Sequence, residues 1–330
     1  MTRCASHLIG LAVALASILS TFVSTLAQTA PAPFPSKMVK VIVPSAPGGQ
    51  SHIVSQYFAD AFKEKLGGTF VVENRPGASG VIAMEALIKE PPDGHTLFLG
   101  VAGQTVTAPV FLPNFKVDVL KDMRPVIRFG IPPQCLFVNG NHPAKSAKEF
   151  AEWARKQPDG VTIASFGHGS TSHLQGALFA KEADFKMVHV PFRGSAPAIQ
   201  EVAGGRVDAF IIDFSPAQGL MDAGLIRCLA LTGVQRWPML PDVPTFEEQG
   251  YNLTLVGWQA LFVSGATPDD VVDRLYKEAR AILDTDAARK KLYAMALFPV
   301  IGGPEETREL QRSDMAKWKA VIEKLSIKPE

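Results

Sequence analysis

The chain has 330 residues, of which 47% are hydrophobic and 20% charged, a composition that fits about two globular domains and excludes a disordered chain. Its formal net charge is +1; removing residues 1–27 takes away one of the 33 Lys and Arg and none of the 32 Asp and Glu. The remaining 32 basic and 32 acidic residues balance each other, which argues against nucleic acid or an anionic membrane as partner. Any recognition of an anion must therefore be local.

The N-terminus has the layout of a secretory signal peptide. Arg3 precedes an apolar stretch from Leu8 to Leu19, and small and polar residues follow as far as Ala27. The apolar stretch is too short to span a membrane, and we expect cleavage after Ala27. The mature protein is thus predicted to be exported to a bacterial periplasm.

The first predicted strand, Val39–Val43, ends at a turn that contains Pro47, Gly48 and Gly49. Apolar residues then recur at intervals of three and four, which predicts a helix over Ser51–Lys65. The first N–H groups of a helix lack partners and its dipole favours negative charge, so the junction is a candidate anion site. The alternative is a plain turn.

Strand-like and helix-like segments alternate from there on, which predicts α/β layers with mostly parallel sheets. Ser146 and Glu149 have the spacing of a helix-capping box. The predicted strands after the first are Phe70–Glu73, Thr96–Gly100, Gln134–Val138, Val161–Ser165, Met187–Val190, Val207–Ile212, Ile226–Thr232 and Leu253–Val263. The predicted helices after the first are Ser79–Lys89, Ser146–Gln157, Thr171–Glu182, Ala196–Gly204, two with charged faces after a helix start at residues 267–270, and a last one over Pro304–Leu325.

Three more strand ends carry a glycine-rich loop before a helix, over residues 73–80, 164–173 and 191–198. Ligands of open α/β sheets bind at the carboxyl ends of strands. A plain turn explains any single loop more often than a site does, but four together favour a shared cleft.

Residues suited to catalysis or metal binding do not form a known motif in this sequence, and we predict neither a cofactor nor a metal. His168 and His173 are five residues apart, so they do not lie on one helix face as zinc ligands would. We expect His173 to lie on a helix face, where it packs or forms a hydrogen bond locally. Asp213 ends a strand, where it either faces the cleft or caps the segment after Phe214. Cys135 and Cys228 either pair or stay as buried thiols.

The loops, taken together and in order, resemble the substrate-binding proteins of tripartite tricarboxylate transporters, the Bug family. The resemblance covers about residues 35–328. Its motifs are "VIVPSAPGG" (41–49), "VVENRPGASG" (71–80), "PPDGHTLFLG" (91–100), "HPAKSAKEFAEWAR" (142–155), "GHGSTSHLQGALF" (167–179), "HVPFRGSAPAIQEVAGGRVD" (189–208), "GLIRCLALTG" (224–233), "LPDVPTFEEQG" (240–250) and "KWKAVIEKLSIK" (317–328).

The resemblance implies a two-lobed periplasmic binding protein of type II, with residues 28–129 and 250–330 in lobe 1 and 130–249 in lobe 2. Such proteins trap a small carboxylate between the lobes and hand it to membrane permease subunits. The ligand-binding residues implied or suggested here are Ser45, Pro47, Gly48, Gly49, Gln50, Ser51, His52, Phe166, Gly167, His168, Gly169, Ser170, Thr171, Phe192, Arg193 and Asp213. We expect a monomer.

This chain departs from the family pattern at the predicted site. His52 stands where the family commonly has an acidic residue, and Gln50 and Phe166 replace small ones. We expect His52 to influence the choice of ligand. Phe166 and Phe192 either line an apolar half of the site, favouring a larger or aromatic acid, or belong to the core.

Two other functions stay open at this point. One is a sensor that presents its closed state to a membrane signalling partner. The other is a periplasmic hydrolase or isomerase built from dispersed loops, which the lack of an activated-nucleophile motif in the sequence disfavours.

Overall fold

Two mixed β-sheets, each flanked by helices, make up the computed structural model, which describes residues 34–192 and 194–327. The predicted signal peptide and Arg193 lie outside the described residues. The strands are β1 Val39–Val43, β2 Phe70–Asn74, β3 Thr96–Val101, β4 Met123–Ile131, β5 Gln134–Asn139, β6 Val161–Ser165, β7 Met187–Pro191, β8 Ala209–Asp213, β9 Ile226–Leu231, β10 Gln259–Ser264 and β11 Phe298–Gly302. Sheet 1 has the strand order β11-β4-β10-β3-β1-β2, and sheet 2 has the order β7-β6-β8-β5-β9.

Helices follow most of these strands, which confirms the predicted alternation. Ser146 accepts a hydrogen bond from Glu149 N–H, as the capping spacing predicts, while the Glu149 carboxylate accepts from Lys145 N–H. The helices are α1 Gln50–Leu66, α2 Val81–Lys89, α3 Ala108–Phe111, α4 Ala147–Ala154, α5 Thr171–Glu182, α6 Ser195–Ala203, α7 Gln218–Asp222, α8 Asp269–Leu283, α9 Asp286–Ala294 and α10 Pro304–Leu325.

Strand pairing is less parallel than the sequence suggested. The pairs β1–β2, β1–β3, β6–β7 and β6–β8 are parallel. The pairs that involve β4, β5, β9 or β10 are antiparallel. At each place where the chain passes between the sheets, the strand that leaves (β4 or β9) runs with the βα units of its sheet, whereas the strand that enters (β5 or β10) runs opposite to them.

The two crossings leave and enter at the carboxyl edges of the parallel strands. Gln259 pairs with Val101, the end of β3, and with Gly130 near the end of β4. On the other side, Gln134 pairs with Asp213, the end of β8. Residues 132–133 therefore join the carboxyl edge of sheet 1 to that of sheet 2, and residues 232–258 return.

The strand predicted over Leu253–Val263 is wrong in its first half, because β10 begins only at Gln259. The preceding residues belong to the second crossing. Leu253 is buried in the core of sheet 2, whereas Leu255 packs on the core of sheet 1. The apolar residues of this segment are therefore explained by burial against first one lobe and then the other, and not by strand pairing.

The C-terminal helix α10 packs on both cores. Trp318 is buried in the sheet 1 core, and its neighbours Val321 and Leu325 pack against the sheet 2 core. Lys324 forms an ion pair with Glu182 of α5 at 2.6 Å. Among the described residues, no helix combines the length and the apolarity needed to cross a bilayer.

Cys135 and Cys228 are free thiols buried on one face of sheet 2. Cys135 lies opposite Leu231, and Cys228 lies opposite Phe137, so the two cysteines are not directly paired across β5 and β9. Burial, followed by a hydrogen bond with Cys228, raises the pKa of the Cys135 thiol. The thiolate, which is the reactive form, is therefore disfavoured.

We expect both thiols of the mature protein to resist an aromatic disulfide reagent until the protein unfolds. Reaction in buffer and in denaturant, followed by absorbance, measures this. Two thiols should titrate in denaturant and none in the native state. Fewer than two in denaturant would show a disulfide, and fast native reaction would contradict the burial.

Candidate functional site

Loop 1 (residues 44–49) joins β1 to α1. Gly48 has a φ of +85°, a backbone conformation that favours glycine, and a Cβ there would meet nothing within 4 Å. Gly49 is the N-cap of α1; no side chain caps this helix, and its first turn has no acidic residue. The loop therefore presents the positive end of a helix dipole without a carboxylate to offset it.

Asn74, at the end of β2, fastens loop 1 to α1. Its Nδ2 donates to the carbonyl oxygen of Ser45 at 2.8 Å, and its Oδ1 lies 2.8 Å from His52 Nδ1. Because the Asn74 oxygen is the acceptor, His52 carries a proton on Nδ1. His52, predicted as a specificity residue, thus has one ring nitrogen committed to the protein.

Gln50 is also engaged within its own lobe. Its Nε2 donates to the carbonyl oxygens of Met295 and Ala296 at 2.9 and 3.2 Å, and its Oε1 accepts from Gln259 Nε2 at 2.9 Å. These bonds fix the first residue of α1 against β10 and the turn before β11. The larger side chain at this position therefore has a structural explanation.

Loop 3 (residues 166–170) joins β6 to α5, and serine hydroxyls within it and beside it fix its conformation. Ser170 is the N-cap of α5; its Oγ accepts from His173 N–H and donates to the carbonyl oxygen of Gly167 at 2.6 Å. Ser165 Oγ accepts from Gly167 N–H, and Ser172 Oγ accepts from Phe166 N–H. The first turn of α5, which begins at Thr171, has no acidic residue either.

A turn after β3 brings loops 1 and 3 together. Residues 103–107 form a π-helical turn that leads into α3, and we call residues 102–111 the β3 turn. Gln104 Nε2 contacts the carbonyl oxygen of Pro44 in loop 1 at 3.5 Å. On the loop 3 side, the Phe111 ring lies 5.5 Å from the His168 ring. A Cβ on Gly169 would lie 2.1 Å from Phe111, so only glycine fits there.

His168, His173 and His189 meet behind loop 3, and one ring nitrogen from each lies within 4.8 Å of the other two. Gly169 N–H donates to His173 Nδ1 at 3.1 Å, which places the proton of the neutral ring on Nε2. The His173 and His189 rings stack at 3.7 Å with planes 11° apart. Nitrogen lone pairs lie in the ring planes, so these two rings do not point at one metal position. Burial, and then the neighbouring His189 and His168, lower the pKa of His173 to about 3.

The family model for the tripartite tricarboxylate transporter family receptor matches residues 54–327. The chain belongs to this receptor family. A UPF0065 protein in the tcbD-tcbE intergenic region of Pseudomonas sp. strain P51 is 31% identical over 317 residues, covering 96% of this chain and 92% of that protein.

Solved structures agree with the family assignment. Rpa4515 of R. palustris, solved with adipate, is 30% identical with a TM-score of 0.83 and covers 90% of this chain and 100% of its own. MatC of Rhodopseudomonas palustris, solved with bound malate, is 28% identical with a TM-score of 0.76, over 88% of this chain and 100% of its own. The receptor is therefore a solute-binding protein with a two-lobed α/β fold.

The remaining predicted residues of the receptor take different positions. Phe166 and Phe192 pack on a core cluster of sheet 2 while staying partly exposed. Asp213 accepts from Gln134 Nε2 at 2.8 Å, and no side chain caps the short turn that follows it. Burial raises the pKa of Asp213 to about 6, against the lowering effect of Gln134.

Sequence reasoning missed the β3 turn and Asn74 as parts of the receptor's site. Gly103 follows the buried strand β3 just as the glycines of loops 1 and 3 follow theirs, and this was the available signal. Asn74 lies within the second glycine-rich junction, but its contact with loop 1 spans 29 residues. Only the parallel pairing of β1 with β2 places the two side by side.

We expect Asn74→Ala to loosen loop 1, because it leaves the Ser45 carbonyl and His52 without their shared partner. The free energy of unfolding should fall by about 1–3 kcal/mol. Hydrogen exchange over residues 44–52 should accelerate. Gln56→Ala, on the exposed face of α1, is the control and should change neither measurement.

His52→Ala completes a double-mutant cycle with Asn74→Ala. Because both changes remove the same hydrogen bond, their effects on unfolding should sum to more than the effect of the double variant. Strict additivity would show that the two side chains act separately.

We expect Asp213→Asn to stabilise the receptor at neutral pH. A half-buried carboxyl with a raised pKa keeps its proton to a higher pH in the folded state than in the unfolded chain, so the wild-type protein loses stability as the pH rises from 3.8 to about 6. The variant keeps the acceptor for Gln134 and should gain on the order of 1–3 kcal/mol at pH 7. Chemical unfolding at pH 4 and pH 7 measures this; a gain at pH 4 of equal size would contradict it. The exposed Asp222→Asn is the matched control.

Proposed function

We propose that this receptor captures a small carboxylate between loops 1 and 3 in the periplasm and delivers it to the permease subunits of a tripartite transporter. One observation carries the proposal: loops 1 and 3 lie on facing sheet edges, and each begins a helix that has no acidic residue in its first turn. Two helix N-termini then converge on one space. Backbone N–H groups so arranged bind a carboxylate without a cationic side chain.

Support for the ligand class comes from the relatives. Rpa4515 and MatC were solved with adipate and malate, both small dicarboxylates. The near-zero net charge of the mature chain fits local recognition of this kind. The same proposal includes export by the predicted signal peptide and a monomeric state. It also includes lobe boundaries near residues 130 and 250.

The side chains at the site divide into two groups under this proposal. Gln50, Ser170 and Asn74 shape the loops, since their polar atoms bond to protein. The groups proposed to meet the ligand are the backbone of residues 45–49 and 167–171 and the small side chains there other than that of Ser170, together with Ser51. His52 Nε2 and Asp213 lie at the margin and bias the choice among acids.

A thermal-shift panel of mono-, di- and tricarboxylates tests the proposal. A ligand at ~100 times its dissociation constant adds roughly 2.7 kcal/mol, which a melting curve resolves. We expect at least one carboxylate of the size of malate or adipate to stabilise the receptor. Stabilisation by sugars or amines with no response to any carboxylate would overturn the proposal.

Ser51→Glu should abolish this stabilisation. A carboxylate in the first turn of α1 favours the helix itself but repels a bound anion. Gln56→Glu adds the same charge on the exposed face of the same helix and should keep the response. Calorimetric titration of both variants with the best acid of the panel measures the difference.

A further inference from the structure

A cavity of about 300 Å³ lies at the end of sheet 1 that is remote from the proposed carboxylate site. Met123 lines it; this first residue of β4 pairs with Ser264, the last residue of β10. The crossings adjoin the other end of the same pair of strands, where Gln259 lies opposite Gly130. At about 3.3 Å per residue, β4 separates the two ends by roughly 20 Å. None of the described residues that line the cavity belongs to loop 1, loop 3 or the β3 turn.

The charged side chains around this cavity are mainly cationic, and we call it the basic cavity. The cations are Lys121, Arg124, Arg308 and Arg312, and the acids are Asp269 and Glu305. Asp269 lies 2.5 Å from Arg124 Nη1, so these two charges balance each other. Four cations against two acids leave an excess of two positive charges, in a mature chain that has equal numbers of basic and acidic residues.

Arg308, in α10, is a buried cation that has no carboxylate partner among the described residues. The residue is only 9% exposed. Its Nη1 donates to the carbonyl oxygen of Val119 at 3.1 Å and to Gln311 Oε1 at 2.7 Å, and its Nη2 donates to the carbonyl oxygen of Met123. All three acceptors are neutral. Buried charges in proteins are normally paired with an opposite charge, so Arg308 points to a missing anion.

The surroundings of Arg308 strengthen this argument. Burial, and then the positive charge of Arg312, lower the pKa of the Arg308 guanidinium, and the opposite effect of Glu305 is smaller. The protein alone therefore leaves this cation in an unfavourable environment. An anion bound in the cavity would offset both the burial and the repulsion between the two arginines.

The basic cavity also has unused hydrogen-bond donors. A guanidinium carries five N–H groups, and those on Nε and one on Nη2 of Arg308 have no acceptor in the part of the chain that the structure describes. The side chains of Lys121 and Arg312, both exposed, likewise have no ion-pair partner there. Three cationic groups that line one space thus have N–H groups available for a ligand.

Charge, donor geometry and size restrict the ligand. Arginine forks match the oxygens of phosphate and similar oxyanions, and an excess of two positive charges suits a dianion. A water molecule occupies about 30 Å³ of liquid, so the cavity holds one oxyanion together with a small substituent or several waters. We propose that the basic cavity is a second ligand site, which binds phosphate or a small phosphate monoester through Arg308, Arg312 and Lys121.

Phosphorus NMR of the full mature chain with inorganic phosphate tests the site, at pH 8, where phosphate is mainly a dianion, and in 0.15 M sodium chloride, which screens unspecific attraction. We expect saturable line broadening with a dissociation constant of about 1 mM or tighter. Arg312→Glu reverses one charge of the cavity and should weaken binding at least about tenfold. Arg289→Glu makes the same change at an exposed position of α9, outside the cavity, and should leave binding unchanged.

A further variant separates this site from the proposed carboxylate site. Ser51→Glu alters the first turn of α1 at loop 1, so phosphate binding should persist in it. Saturable binding of inorganic phosphate or of glycerol 3-phosphate supports the site, and the tighter of the two identifies the source of the phosphoryl group. Absence of saturable binding of both, equal loss in the Arg312 and Arg289 variants, or loss in Ser51→Glu with retention in Arg312→Glu would overturn it. None of these results depends on whether loops 1 and 3 bind a carboxylate.

Discussion

Two crossings of the chain hold the carboxyl edge of one sheet against the carboxyl edge of the other, and the remaining features depend on this arrangement. Pairing of Gln259 with Val101 and of Gln134 with Asp213 fixes both crossings at those edges. The loops that begin α1 and α5 therefore open into one space. Because β5 and β10 enter their sheets at those edges, each runs antiparallel to both of its neighbours, which accounts for most of the mixed pairing.

The proposed binding of an anion by backbone groups needs no buried cation, and the polar side chains of the loops explain why. Asn74 holds loop 1 through Ser45, and Ser170 holds loop 3 through Gly167. Neutral hydrogen bonds thus position the backbone, whose N–H groups supply the positive potential in the proposed mode of binding. Burial keeps His173 neutral at physiological pH, so even the histidine cluster adds no charge from that ring.

Local patterns predicted much of this structure, whereas contacts across the chain could not be read from them. Helix α1 and the cap at Ser146 follow from spacing over a few residues, and the structure confirms both. The role of Gln50 could not be predicted, because its partners at Met295 and Ala296 are 245 residues away or more. The false start of the strand at Leu253 has a related cause: periodicity records burial, but not which lobe provides it.

The C-terminal helix gives the molecule a mechanical constraint. Trp318 is set in the core of one lobe while Leu325, two turns further along, rests on the other. A side chain enclosed in a packed core moves with that core, so α10 travels with lobe 1 and its last turns must roll or slide over lobe 2. Any rotation of one lobe against the other must therefore keep or exchange the contacts that Leu325 and Lys324 make with lobe 2, so the packing of α10 is linked to lobe closure.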